Sequence, residues 1–551
     1  MSGASREGRD TLTRGRREAH GVGTWPIAAA VAIAALALAL RVCGLHWGLP
    51  DSLHSYSYHP DEFLIVGSAL EVLRSGLPSL YNYPSFDIYL TAGFISVAIG
   101  CGASIEAGLY LAGRLATALM GTAAVGVSYW AGRTLFGGWA GLTAALLLCI
   151  APLHAQHSHF ATVDVPSTVF VAAALGFAGL VLQRGSLRDY LLAGAMSGLA
   201  AGTKYNAGLV ILSAVAAHLF RRAPRLWSGR FWATLGCALG AFVISTPGVA
   251  LRWPAFVYGL GYELRHSALG HGLVFAGTGS GFVYTFASSL WYGLGPALAL
   301  MAVAAVVYAV WTRERPALVV LAFAAPYYVL ISLSEVRFAR YSLPLFPALA
   351  MLSGWAVVGW MGSSRRMARG AAVASVIVVL ALTLAYALSL VSVFAGPDPR
   401  NVAARWVLGN VPRGSRIGVL EVPWFYSPPL SKSLGFGTLP QRIKAAEDTP
   451  YDLVVLSQMS PGKWWSSGNR PGWFIVSDYE IADAERIGTS GSVTGSSRRE
   501  ANRILADLAI IRRHYVPVRR FGGRFSFPGL GTLPHDMRYV EPSISIYRLP
   551  R

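Results

Sequence analysis

Cysteine is nearly absent: the 551 residues hold four, Cys43, Cys101, Cys149 and Cys237. They lie within or beside apolar stretches and lack metal-ligand spacing, which excludes a disulfide scaffold and a zinc framework. Charge is scarce too. Asp, Glu, Lys and Arg make up 13% of the chain, and the acidic side chains are the rarer kind, 27 against 46 basic. Residues 371–396 contain no charged side chain at all, and 165–183 and 316–334 read the same way. About twenty apolar residues at ~1.5 Å rise cross a ~30 Å hydrocarbon core, so these stretches read as membrane spans. There is no solenoid-type repeat, and no inverted repeat of the kind that marks many transporters.

What the chain does have is arginine. The formal net charge of +19 would suit nucleic acid if it covered one solvated face. Instead the arginines sit in short loops between apolar stretches, where they set membrane orientation, and nucleic acid is excluded as a partner. A basic tail, residues 1–24 with Arg6, Arg9, Arg14, Arg16 and Arg17, precedes an apolar run that reads as an uncleaved first helix. Five further clusters follow at Arg133, at Arg184 and Arg188, at Arg221, Arg222 and Arg225, at Arg313 and Arg315, and at Arg365, Arg366 and Arg369. They alternate with arginine-poor turns. Placing the tail and all five clusters in the cytoplasm gives about eleven crossings, with 85–100 re-entrant or interfacial because Asp87 interrupts it. The loops around 154–164, 204–206, 247–280 and 334–341 then face outside.

The expected architecture is a polytopic α-helical membrane protein: a cytoplasmic tail over 1–24, a transmembrane domain over 25–396 and an extracytoplasmic α/β domain over 397–551. In the last part, 401–408 reads as a helix, 412–415 as a turn, and 417–422 and 453–456 as strands.

Chemistry concentrates on the loops assigned to the outside. His59, Pro60, Asp61 and Glu62 open a helix whose expected apolar stripe is Phe63, Val66, Leu70 and Leu73, laid on the membrane surface. Pro60 suits the first helical position, and acidic residues in a first turn favour the helix dipole, so capping alone accounts for half the weight of this pattern. A second loop supplies His154, His157, His159 and Asp164, and a third Glu335, Arg337 and Arg340. Arg114 interrupts an apolar helix, where a charge costs roughly 2.5–3.5 kcal/mol, so it should face the bundle interior and pair with an anion.

HPDE (59–62), HSHFATVDVP (157–166), GTKYN (202–206) and RFARYSLPLFP (337–347) together resemble the protein O-mannosyltransferase and aminoarabinose transferase branch of the GT-C glycosyltransferases. The similarity runs over roughly residues 25–400. It implies a membrane enzyme that moves a sugar from a polyprenyl-phosphate donor to a hydroxyl acceptor on the outer side of the cell membrane, with inversion. It also implies that Asp61 is the base and Glu62 its neighbour. Lys204, Arg337 and Arg340 suit the lipid phosphate, because guanidinium binds phosphate in a fork and lysine as a point charge. Arg114 is a further candidate for that phosphate, or for a loop carboxylate. His59, His157, His159, Asp164, Tyr205 and Tyr341 complete the expected substrate contacts. Capping is as good a reading of Asp164, and a divalent metal at the histidines stays open. A multi-spanning transporter or flippase of an anionic envelope substrate is the rival, but it would need charges near the midplane.

The arginine pattern carries the first prediction. A reporter fused after Arg551 should be active only outside the cytoplasm, and cytoplasmic activity would overturn the arrangement.

Overall fold

The computed structural model describes residues 24–104, 106–221, 228–460, 462–466 and 470–550. The basic tail before Thr24, and Arg222 and Arg225 of the third cluster, lie outside the described residues. Among the described residues four stretches are long and apolar enough to cross a bilayer: Ala107–Phe136, Asp164–Gln183, Arg315–Leu333 and Arg366–Asn410. The bent pair Gly281–Leu294 and Pro296–Thr312 adds a fifth if it is one span. Its 119° bend falls at Gly295, whose φ of 81° lies in the left-handed region that side chains avoid, directly before a proline that cannot continue the preceding helix. Six further apolar helices of the described residues are 10–17 residues long, among them Phe86–Gly100, Tyr205–Leu219 and Gly229–Ser245.

Two interruptions of this bundle position polar side chains. The helix Leu187–Thr203 stops at Lys204, which is extended (φ −148°, ψ 117°), and the chain resumes as the 3-10 turn Tyr205–Val210 and the helix Ile211–Leu219. The chain from 187 to 219 is thus broken into separate helices, and the break between them holds a largely buried lysine. The same helix packs closely on Gly229–Ser245. A Cβ at Gly194, Gly198 or Gly202 would collide with Thr234, Ala238 or Ser245, so the small residues set the approach distance.

The second interruption surrounds Arg114, fully buried in the first third of the helix Ala107–Phe136. Its Nε and Nη2 meet the Glu62 carboxylate in a fork, both at 2.8 Å. Nη1 donates to the carbonyls of Leu45 and Trp47, and Nη2 also to Ser57 Oγ. All five guanidinium N–H groups are engaged. This pair explains why the helix Glu62–Ser75 is rotated from its expected setting: Glu62, Ile65, Val66 and Ala69 face inward against Ile88, Ala92 and Ile95. Phe63 and Leu73 of the expected stripe are instead exposed. Bringing the carboxylate to Arg114 decides which face turns in, and the apolar stripe follows.

Beyond Gly396 the helix Pro399–Asn410 leads into a five-stranded sheet: β1 (Arg416–Val419), β2 (Asp452–Val455), β3 (Trp473–Ser477), β4 (Val516–Phe521) and β5 (Ile544–Arg548). The order is β2-β1-β3-β5-β4. The first three strands run parallel, and β5 pairs antiparallel with both β3 and β4. The first strand is shorter than expected because the chain leaves the sheet ahead of Pro423. The domain is tied to the first long loop by Arg400, fully buried, which pairs with Asp398 and lies 3.8 Å from the centre of the Tyr58 ring. Asn401 adds a bond to Asp51 at 2.8 Å.

Removing one partner of a closed buried pair strands the other charge. Arg114→Leu should therefore destabilise the solubilised protein by about 3–5 kcal/mol, and Arg114→Leu with Glu62→Leu should recover much of that loss. Thermal unfolding of the two variants measures it; equal stability of the single and double variants would contradict it.

Candidate active site

Four side chains from four separate elements converge at the end of the bundle that carries the sheet domain. Asp61 occupies the residue before the helix Glu62–Ser75, and its side chain caps nothing. Asp164 opens the helix Asp164–Gln183, Lys204 sits in its helix break, and Arg340 lies in the 3-10 turn Ala339–Ser342. Arg340 is the hub. Its Nη2 is 3.0 Å from Asp61, its Nε 3.8 Å from Asp164, and its guanidinium carbon 4.0 Å from the centre of the Phe338 ring. Lys204 Nζ donates to Asp164 at 2.5 Å and lies 4.8 Å from the Tyr341 ring. That leaves two ammonium N–H groups for another partner.

The sheet domain completes the cluster. Asp536, 1% exposed, accepts the backbone N–H groups of Ala339 at 3.0 Å and Arg340 at 2.9 Å, and stands 3.8 Å from the guanidinium. Tyr539 meets the same guanidinium through its hydroxyl. Of the three carboxylates around Arg340, Asp61 is the most open, with 20% of its side chain exposed against 5% for Asp164 and 1% for Asp536. Burial pushes the Asp61 carboxyl above the usual range against the pull of Arg340, and Asp164 and Glu62 push the same way. Glu263, on the helix Trp253–Leu269, is pushed up to about 7 by burial and by Asp61.

Two cavities meet here. One, of about 350 Å³, is lined by Asp164, Lys204, Tyr205 and Asn206 and by Leu260, Leu264, Leu330 and Leu333. The other, of about 690 Å³, runs from Asp61 and Arg340 beneath the sheet domain. Asn82, Tyr83, Glu263, Arg340 and Tyr341 line both.

The remaining expected site residues divide. Glu62 and Arg114 are locked to each other and line neither cavity, so Arg114 has no donor left for a phosphate. Arg337 donates to Ser334, Thr278, Gly279 and Glu335, bracing the loop before its own turn, and it too lines neither cavity. His159 stacks on Phe394 and bonds to the Cys43 carbonyl, a packing role. His59 Nδ1 accepts the Asp61 backbone N–H, which fixes the turn carrying that carboxylate. His157 is fully buried, and neither ring nitrogen has a hydrogen-bond partner among the described residues. Tyr205 donates to the Tyr81 carbonyl. Among the described residues no three His, Cys, Asp or Glu side chains converge to hold a metal ion.

Sequence reasoning missed Glu263, Asp536 and Tyr539. Glu263 lies in a stretch assigned to a loop, where the helical alternation around YELRH was its one signal. Asp536 stands 196 residues from Arg340, and nothing local marks it.

A family model described as dolichyl-phosphate-mannose-protein mannosyltransferase matches residues 95–250. No curated protein sequence matches the chain. Among solved structures, ArnT from Cupriavidus metallidurans bound to undecaprenyl phosphate aligns over 95% of this chain and 98% of its own, with a TM-score of 0.50 and 18% identity. The oligosaccharyltransferase of Archaeoglobus fulgidus aligns over 93% of this chain and 75% of its own, at 0.49 and 13%. The ArnT likeness is one of fold.

Asp536→Ala should leave two buried N–H groups without an acceptor, at about 1–3 kcal/mol each. The expected result is a lower unfolding midpoint together with faster amide hydrogen exchange at Ala339 and Arg340. Unchanged exchange there would mean that the turn stands without the sheet domain.

Proposed function

We propose that this chain is a membrane glycosyltransferase of the GT-C superfamily, a reading supported by the partial family match and the fold, and that it moves a sugar from a polyprenyl-phosphate donor to a hydroxyl acceptor at the non-cytoplasmic face. The observation that carries the reading is the meeting of two cavities at one carboxylate–guanidinium cluster. The smaller cavity combines Lys204 with exposed leucines, Leu264, Leu330 and Leu333, which suits a phosphate with a polyprenyl tail. The larger, which Asp61 lines, leaves room for an acceptor.

In this mechanism Asp61 takes the proton from the acceptor hydroxyl as its oxygen attacks the anomeric carbon. The bond from that carbon to the phosphate oxygen breaks in the same step, inverting the centre, and polyprenyl phosphate leaves with the released charge. Arg340 and Lys204 stabilise that charge, so no acid is needed at the leaving oxygen. Asp164 holds Lys204, and Glu62 fixes the loop rather than reacting. Charge gathered at one end of the bundle favours transfer over transport, which would distribute it along a path.

Asp61→Asn keeps the shape and removes the proton acceptor. Transfer should fall by ~10² to 10⁴-fold with the unfolding midpoint unchanged. Because burial raises the Asp61 carboxyl, the base is protonated as pH falls through a midpoint above the ordinary value of about 3.9. The acid limb of kcat/KM should therefore lie above that value and vanish in the variant. Near wild-type turnover would put the base elsewhere, with Asp164 next.

Lys204→Ala and Arg340→Ala should each weaken undecaprenyl-phosphate binding and raise the donor KM, while Arg337→Ala leaves both unchanged. Equal effects in all three would return Arg337 to the donor site.

A further inference from the structure

The sheet domain does more than hold Arg340. Its three parallel strands, β2, β1 and β3, all point their carboxyl ends at the larger cavity. The residues that follow β1 (Trp424 and Tyr426), β2 (Gln458) and β3 (Tyr479 and Asp483) line its wall. From β1 the chain goes to β2 on one side and then crosses to β3 on the other. In open α/β sheets such a reversal opens a crevice outside the carboxyl ends, where ligands bind. Its volume of about 690 Å³ falls within the ~300–1,000 Å³ of small-molecule sites.

We infer that this carboxyl edge is the acceptor site and that the acceptor group bound there is a sugar, a reading that rests on the transferase assignment above. The wall mixes aromatic faces with hydrogen-bonding groups that the protein leaves free. Trp424 and Tyr426 are partly exposed, with Arg442 4.8 Å from the Trp424 ring centre and Tyr426 stacked on Tyr479 at 7°. The C–H face of a pyranose packs on such rings, and its hydroxyls need acceptors and amides around the rim. Those are present. Glu421 accepts from Arg503 through one oxygen and keeps 28% of its side chain exposed, and the side-chain amides of Asn82 and Gln458 make no hydrogen bond among the described residues. A polypeptide acceptor fits less well, because neither edge strand, β2 or β4, contributes a residue of its own to the wall.

Saturation-transfer-difference NMR on the full-length protein in lipid nanodiscs tests this, with mannobiose and cellobiose as probes and a serine- and threonine-containing octapeptide alongside. At least one disaccharide should receive saturation. That signal should fall about tenfold in Trp424→Ala and ~3- to 10-fold in Gln458→Ala. Gln458 lies on the exposed rim, so its loss is read without disturbing the fold. Saturation of the peptide alone, of no disaccharide, or of a disaccharide equally in wild type and both wall variants would overturn the inference. Thermal protection by undecaprenyl phosphate, measured on the same samples, keeps the donor question apart. Protection retained in Trp424→Ala supports separate sites. Its absence in the wild type would overturn the donor reading, while the disaccharide signals would still decide this one.

Discussion

One guanidinium holds three parts of the chain together. Arg340 faces Asp61 from the first long loop, Asp164 from the start of a membrane helix and Asp536 from the sheet domain, each at 3.0–3.8 Å. A charge buried to 6% exposure is tolerated only with such partners. The backbone turn that presents it is itself pinned by Asp536 through two N–H groups. Lose that geometry and neither cavity keeps its floor, because Arg340 and Tyr341 line both. The fold therefore converges on a cation as much as on an apolar core.

A second buried arginine shows what separates architecture from chemistry. Arg114 and Glu62 meet in a fork, every N–H of the guanidinium has an acceptor, and Glu62 takes additional bonds from Ser57 and the Ala161 backbone. Nothing is left for a ligand. Around Arg340 the contacts are looser, two of the three ion pairs being 3.8 Å long. Asp61 keeps a fifth of its surface, and Lys204 keeps two donors. The same residue types give a closed knot in one place and an open site in the other, and the difference is satisfaction of hydrogen bonds, not burial.

That distinction marks how far the sequence could be read. Long uncharged runs announced the membrane helices, and the motifs around Asp61, Asp164, Lys204 and Arg340 named the four side chains that converge, because each lies within a few residues of a helix end. Arg114 was rightly expected to seek an anion, but nothing local told Glu62 from a donor phosphate. The helix after Asp61 was set partly on the wrong face for the same reason: Val66 and Leu70 of the expected stripe pack inward while Phe63 and Leu73 do not, because an apolar stripe is visible in one segment, whereas a buried ion pair needs two. Asp536 and the strand ends that wall the larger cavity are wholly non-local, and their place follows only from a sheet whose order β2-β1-β3-β5-β4 turns three carboxyl ends toward the bundle.

Charge balance links the cluster to the proposed reaction. Asp61, Asp164 and Asp536 face Arg340 and Lys204, so with every group ionised the cluster is anionic before a donor phosphate arrives. Like charges in a buried site raise the proton affinity of the most responsive carboxylate. Burial first, and then Asp164 and Glu62, push the Asp61 carboxyl upward, and of the three it is the one that lines the larger cavity. In the proposed displacement the acceptor proton neutralises Asp61 as the leaving phosphate gains a negative charge. The total charge of the site stays constant while its location moves from one side of Arg340 to the other. A fixed guanidinium spanning both positions stabilises start and finish alike, and because its partners already hold it in place, little reorganisation is required at the moment of transfer. The clamp supplied by the sheet domain belongs to the chemistry for this reason, although Asp536 touches neither reacting atom in this mechanism.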